Sequence, residues 1–403
     1  MKMILVVGGG QGQMPLITAA KAEGYYLIVC DYAGESCPGA KYADKLYSVS
    51  TRDVDAVFEV AKEEKVDGII SNSEPSMLCV TEVGEKLGLI GNPLKSIQTF
   101  ISKSEFRALQ KKIGVYSPKH IEVDSWESAL MAIADIEYPI FVKPGESSGS
   151  RGSLKIDQEN LTVFKHAFES CMAHTRNHKV VIEEYVEMSS NTTIEADIFV
   201  CKGEILWDGI YSTLRAEWSS VIPMVCSFPS NFNPSQLQIF KEVVGKIIEE
   251  GGITFGQYNV EAYFNDKGNL FVIEINVRQG GNNLPAYLKA STGIDYDRLL
   301  VTTSVGDFDY WYEVISSSRV YNNIIHFNLY SKVDGIYESI NIPEYLQDKV
   351  VCIKELMCKG DIVHECENAA DIVANIDFKF DSKEEMDAIR VHLSDIVTVN
   401  LSK

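Results

Sequence analysis

Residues 271–283 read FVIEINVRQGGNN, and the alternation inside them decides how the chain is built. Side chains of a strand point alternately to opposite faces, so Glu274, Asn276 and Arg278 share one face while Ile275 and Val277 pack the other. Upstream, NVEAYFNDKGNLFVIEINVR reads as a hairpin turning at NDKGN. A turn of Lys267-Gly268 alone and a turn of Asp266 to Asn269 give the same register, in which Glu261 faces Glu274. A three-residue loop would break it. Carboxylates placed directly opposite each other repel. Protonation of one of them would relieve this, as would a divalent cation between them, and Asn276 adds a neutral oxygen to the same face. Two carboxylates and an amide, with no His or Cys, suit Mg²⁺ or Mn²⁺ rather than zinc. Mg²⁺ commonly keeps positions for substrate phosphates, and Arg278 is placed to steady a transferring phosphoryl group. A solvent-facing strand with scattered polar residues is the plain alternative. It leaves the apolar set Val260, Ala262, Ile275 and Val277 unexplained.

A phosphate site needs a close-fitting cradle, and PGESSGSRGS, residues 144–153, has that composition. Glycines such as Gly149 let backbone approach a ligand, Ser148 and Ser150 add hydroxyl donors, and consecutive N–H groups can form an anion nest. Lys143, ending the strand-like IFVK, points an ammonium at the same place. The loop is not a Walker A motif, because the G-x-x-x-x-G-K-[ST] order is missing and a strand follows it. Taken alone it would pass for a hairpin connection.

Composition limits the function classes. A chain of 403 residues suggests two or three domains, and its 45% apolar and 23% charged content is that of a globular protein. The formal net charge of −20, with no basic run, argues against a nucleic-acid partner. MKMILVVGGG lacks the length of a signal h-region, and no stretch reaches the roughly 20 apolar residues that span a bilayer. Nine scattered cysteines without a C-x-x-C pair fit a reducing compartment, so a cytoplasmic location without membrane attachment is expected. Cys352, Cys358 and Cys366 lie near His364 at no zinc spacing and are expected to be buried thiols.

Along the chain, MILVV, YYLIVCD and VDGIISN alternate with helical segments, which predicts a parallel sheet covered by helices. GNPLKS marks a break near residue 93. A helix is expected from about Ser96 to Ile113, followed by the strands around the Gly/Ser loop, KVVIEEYV, a hairpin in TIEADIFVCKGEILWDGI, and a helix from about Pro234 to Glu250. The reading is therefore mixed α/β and α+β, with regions 1–95, 96–310 and a small α+β region, 311–403. GGGQGQ at 8–13 invites a dinucleotide reading supported by Asp31, yet the third glycine of G-x-G-x-x-G is missing. Glu74, in SNSEP at another strand end, is a further candidate for lining a substrate. His174 and His178 sit one turn apart in a polar segment that suits a solvated helix end. Arg215 suits a substrate carboxylate or a plain surface.

The ordered set carries further than any single motif. Lys103, then Lys143 with its Gly/Ser loop, then EEYVE at 183–187, then Glu261, then E-x-N-x-R at 274–278 resembles the ATP-grasp superfamily. SKSEFRALQKKIGVYSP and INVRQGGNNLPAYLKASTGID resemble that family's lysine-bearing helix and its metal strand, and the resemblance extends over about residues 1–305. It implies a Rossmann-like first domain, then a two-lobed ATP-grasp fold holding ATP. Lys103 and Lys143 would bind phosphates with the loop, Glu183 and the backbone of Glu184 and Val186 the adenine, and Glu261, Glu274 and Asn276 the Mg²⁺, with Arg278 as the catalytic cation. Thr193 stands where many members have a ribose-binding Glu, with Glu195 or Glu187 to replace it.

The implied reaction is ADP-forming activation of a small-molecule carboxylate as an acylphosphate, captured by an amine or similar nucleophile. Alternatives are a biotin-carboxylase or carbamoyl-phosphate type enzyme acting on bicarbonate, a dinucleotide-dependent oxidoreductase, and a nucleotide-binding module without catalysis. A homo-oligomer is compatible with each.

Overall fold

The protein is described by a computed structural model over residues 1–146 and 152–402. Met3–Val7 is apolar on both faces, as a strand covered on both sides must be. It pairs in parallel with Tyr26–Cys30 and Gly68–Ile70, and Lys45–Tyr47 completes the sheet. Helices Met14–Ala22 and Val54–Glu63 belong to the crossovers, so the expected Rossmann-like start is present. Gly68 lets this sheet seat on the rest of the molecule, since a Cβ there would lie 2.6 Å from the Ser304 carbonyl oxygen. One core, including Ile4, Leu27, Phe199 and Leu299, spans that junction.

A second sheet of four antiparallel strands runs in the order His120–Val123, Val180–Glu184, Ile140–Pro144, Leu154–Ile156. Trp126–Ala132 and Leu161–His174 pack on it through Ala129, Phe164 and Phe168. The predicted strand pair around the Gly/Ser loop is thus antiparallel. Residues 147–151, and with them Ser148, Gly149 and Ser150, lie outside the described residues.

The third sheet runs from the edge strand Leu270–Asn276 through Phe255–Phe264, Thr192–Cys201, Ile210–Ala216 and Ser219–Phe228. It continues without interruption into Asn323–Tyr330, Ile372–Phe380 and Val350–Glu355, while Gly335–Asn341, Ile362–Val363 and Thr398–Ser402 form a small sheet of their own. The sequence showed those strands as short and acidic, and nothing local revealed whose edge they join.

Two local expectations change. The helix expected over 96–113 is two helices, Leu94–Ile101 and Lys103–Lys112. Ser102 takes an extended conformation between them and its hydroxyl caps the second through the Glu105 N–H, which puts Lys103 at that helix's first position. Cys352 and Cys358 are exposed rather than buried, whereas Cys366 is buried as expected.

Candidate active site between the second and third sheets

The hairpin register holds where it matters. Glu261 pairs with Glu274 and Asn259 with Asn276, but nearer the turn Ala262 pairs with Val272. The turn spans Asn265–Asn269, one residue off the even loops that the register argument needs. A bulge at Ile273 restores the phase, and bulges of this kind re-aim side chains. Ile275 and Val277 are buried as predicted, with Val260 and Ala262 in the same core.

The next strand adds a third carboxylate. Glu195 pairs with Glu261, so Glu195, Glu261 and Glu274 form a row across three strands. Arg215, which sequence reading left between substrate ligand and surface residue, is buried beside them. It donates to Glu195 Oε1 at 2.7 Å and to Glu261 Oε2 at 3.1 Å. Burial, then Glu195, pushes the Glu261 carboxyl well above the usual range; Arg215 opposes this and Glu274 adds to it. Glu274 accepts from Asn276 Nδ2 at 3.1 Å, a neutral partner. Two opposed carboxylates, one only partly neutralised, beside an amide are a donor set that fits a hard divalent cation. Among the described residues, no cluster of three or more His, Cys, Asp or Glu could hold a metal.

Facing this row across the cleft is the second sheet's Lys143, with Glu183, Phe141, Val186 and Lys103. Lys143 is 4% exposed and bonds Glu183 Oε1, while Arg107 Nε donates to Glu183 Oε2 at 3.1 Å. Arg107 was not singled out in the sequence, where it looks like any surface cation of an amphipathic helix. Burial raises the Glu183 pKa, but Arg107 and Lys143 outweigh it and hold the carboxyl at about 2. Burial, with Arg107, takes Lys143 down to about 8, against the pull of Glu183. The Glu183 carboxylate is thus occupied in setting the Lys143 ammonium. Nearby, the Val186 carbonyl accepts from the Tyr263 hydroxyl at 2.7 Å, and the Val186 N–H makes no hydrogen bond among the described residues. The Lys103 N–H donates to the Gly145 carbonyl, tying that helix start to the beginning of the Gly/Ser loop.

This buried triad gives a stability prediction. Glu183→Gln leaves two buried cations without a counter-charge and should cost about 3–5 kcal/mol, read by urea unfolding. Because the folded pKa lies below the unfolded one, the contribution is complete above about pH 4.5 and disappears as pH falls through about 2. Unfolding unchanged in the variant would contradict the pairing.

Arg278 bonds the Gln279 carbonyl at 2.7 Å and lies 3.6 Å from Glu74 Oε2, whose other oxygen pairs with Arg176. Glu74 therefore does reach the site from the first sheet. After Arg278 the chain turns where Gly280 donates to both oxygens of buried Asp197, at 3.1 and 2.9 Å. A Cβ on Gly280 would sit 2.6 Å from Leu284 Cδ1 and 3.1 Å from Asp197 Oδ1, so a larger residue would press on the Leu284 side chain and on this carboxylate.

Other candidates resolve differently. Asp31 accepts from the Gly9 and Ala33 N–H groups, so its carboxylate braces the glycine loop instead of awaiting a ribose. His174 is the last helical residue and binds the Ser170 carbonyl, while His178 lies beyond the helix end with a φ of 55°; they form no metal pair. Thr193 Oγ1 lies 2.6 Å from Glu195 Oε1, Glu195 is held by Arg215, and Glu187 is exposed beside Lys155.

A lysine-bearing antiparallel lobe closing over an acidic sheet edge is the arrangement the ordered motifs implied. The family model described as the carbamoyl-phosphate synthase L chain, ATP binding domain, matches residues 102–296. Residues 102–296, just under half of the chain, are thus similar to an ATP-grasp ATP-binding domain. Among its relatives, the carbamoyl phosphate synthase large chain of Clostridium acetobutylicum is 26% identical over 300 residues, 72% of this chain and 27% of that one. A formate-dependent phosphoribosylglycinamide formyltransferase from Saccharolobus solfataricus is 23% identical over 278 residues, 67% of this chain and 68% of the relative. The chain thus spans about a quarter of the carbamoyl phosphate synthase chain it matches. Likeness in fold extends beyond the matched segment. The crystal structure of an L-amino acid ligase from Bacillus licheniformis superimposes with a TM-score of 0.80 at 17% identity, covering 100% of this chain and 99% of that one. No helix among the described residues is long and apolar enough to cross a membrane.

Proposed function

We propose that the protein is an ADP-forming ligase that activates a small-molecule carboxylate with Mg-ATP and joins it to an amine. The carrying observation is the opposition of Glu261 to Glu274 in one cleft with Lys143, next to Arg278. In this reading residues 96–310 hold the nucleotide, while 1–95 and 311–403 wall the substrates. Glu261, Glu274 and Asn276 hold the Mg²⁺ (or Mn²⁺), which when bound screens the β- and γ-phosphate charge. Lys103 and Lys143 hold the phosphates together with the Ser148-Gly149-Ser150 loop. The Val186 N–H and the backbone of Glu184 meet the adenine edge. Glu183 serves by fixing Lys143. Arg278 steadies the transferring phosphoryl group and then the carbonyl oxygen as it gains charge. The nucleophile and the acyl group meet where a cleft of about 950 Å³, lined in part by Gly12, Asn72, Lys289 and Lys354, joins the cleft of Glu261 and Glu274 at Arg278, Gly281 and Asn282.

The match to a carbamoyl-phosphate synthase ATP-binding domain favours a second reading, in which bicarbonate is the carboxylate. One screen separates the two. Purified protein with Mg-ATP is offered amino acids, small organic acids and bicarbonate, and ADP and phosphate are measured. We expect release with an amino acid or organic acid together with an amine. A strict bicarbonate requirement supports the second reading, and AMP with pyrophosphate contradicts both.

A further inference from the structure

The strand Asn323–Tyr330 brings into the cleft an imidazole that phosphoryl transfer does not use. His326 is fully buried, yet it lines the same cleft as Glu261, Glu274, Asn276 and Arg278. Its neighbours across the sheet are Cys226 on Ser219–Phe228 and Asp377 on Ile372–Phe380. Nδ1 lies 2.6 Å from Asp377 Oδ1, the Tyr287 ring packs against the imidazole at 5.5 Å, and Nε2 has no hydrogen-bond partner among the described residues. A carboxylate accepts from Nδ1–H, and this fixes the tautomer in which Nε2 carries the lone pair. Buried polar atoms are normally satisfied, so an imidazole held by an acid with its other nitrogen unpaired in a cleft wall is arranged to receive a proton.

We propose that His326, oriented by Asp377, is the general base for the incoming nucleophile. The proposal rests on the ligase reading above. At neutral pH an amine is an ammonium ion without a lone pair, and the acylphosphate cannot be attacked until a proton is removed. His326 Nε2 takes that proton. The freed nitrogen attacks the acyl carbon, and a C–N bond forms as the C–O bond to phosphate breaks. The second nitrogen proton leaves on the departing phosphate, and the imidazolium returns its proton to solvent. The sum is carboxylate, ammonium and ATP giving amide, ADP, phosphate and one proton. The charge touching the imidazole is Asp377. Cys226 and Tyr287, both pushed up by burial, stay neutral beside it, while Arg215 and Glu195 line the same cleft and compensate each other.

The test compares two nucleophiles in the full chain, with the acid that gives Mg²⁺-dependent ADP release in wild type. Methylamine is protonated at pH 7, whereas hydroxylamine is not. In His326→Gln, amide formation with methylamine should fall about 100-fold or more, while hydroxamate formation stays within about threefold of wild type. Asp377→Asn should show the same split at smaller amplitude. In His326→Gln the methylamine rate should rise with pH, following the amine's own ionisation. Equal loss with both nucleophiles, or loss with neither, overturns the proposal. Failure of the ligase reading would look different, as no ADP release by wild type with any acid. The base assignment is then decided by ¹⁵N NMR of the imidazole, assigned through His326→Gln. Nδ1–H with unprotonated Nε2 at pH 8 supports it, and the opposite tautomer refutes it.

Discussion

Glu274→Gln should abolish Mg²⁺-dependent ATP turnover, with a loss on the order of 10³-fold, because several kcal/mol of charge stabilisation is at stake and each 1.4 kcal/mol is tenfold. The substitution is isosteric and keeps an oxygen in the cleft. What it removes is the charge that, with Glu261, makes the site attractive to a hard cation. The fold should survive, because Glu274 sits on an edge strand and its repulsion with Glu261 is relieved rather than created. Thermal unfolding should therefore stay at or above the wild-type midpoint while Mg-ADP binding, read by calorimetry, weakens. Full turnover in the variant would remove Glu274 from the metal site.

Arg278→Ala should lower the chemical step by about 10²–10³-fold and leave nucleotide affinity nearly intact. Arg278 contacts the Gln279 carbonyl and Glu74, away from Lys143, Glu183 and Val186, which line the part of the cleft proposed to hold the nucleotide. Its cation should therefore act on charge that develops during transfer. Arg278→Lys should recover part of the rate, since an ammonium supplies charge without the planar fork. Single-turnover ADP formation separates rate from binding, and a loss confined to ATP affinity would place Arg278 with the phosphate-binding lysines.

The parts of this site that were readable in the sequence share one property: local periodicity fixes them. Alternation put Glu274, Asn276 and Arg278 on one face, and a single hairpin put Glu261 opposite Glu274. Even there, the bulge at Ile273 was hidden, and the register survived because it compensates an odd turn. The parallel first sheet was readable because strands covered on both faces are continuously apolar. Arg107, Arg215 and the His326–Asp377 pair were not readable as a group. Each acquires its meaning from a partner 20 to 76 residues away, on a strand or helix whose neighbours no local pattern names. Residues 311–403 were opaque for the same reason, since their strands look ordinary until they are seen to continue the central sheet into the cleft wall.

In the proposed ligase reaction a carboxylate oxygen of the substrate attacks the γ-phosphate of ATP in this cleft. The most direct measurement uses the active acid labelled with ¹⁸O in its carboxyl group and follows the label into phosphate by mass spectrometry. An acylphosphate route requires one ¹⁸O in each phosphate released with ADP and its loss from the amide formed. Phosphate free of label, or AMP and pyrophosphate as products, would contradict it.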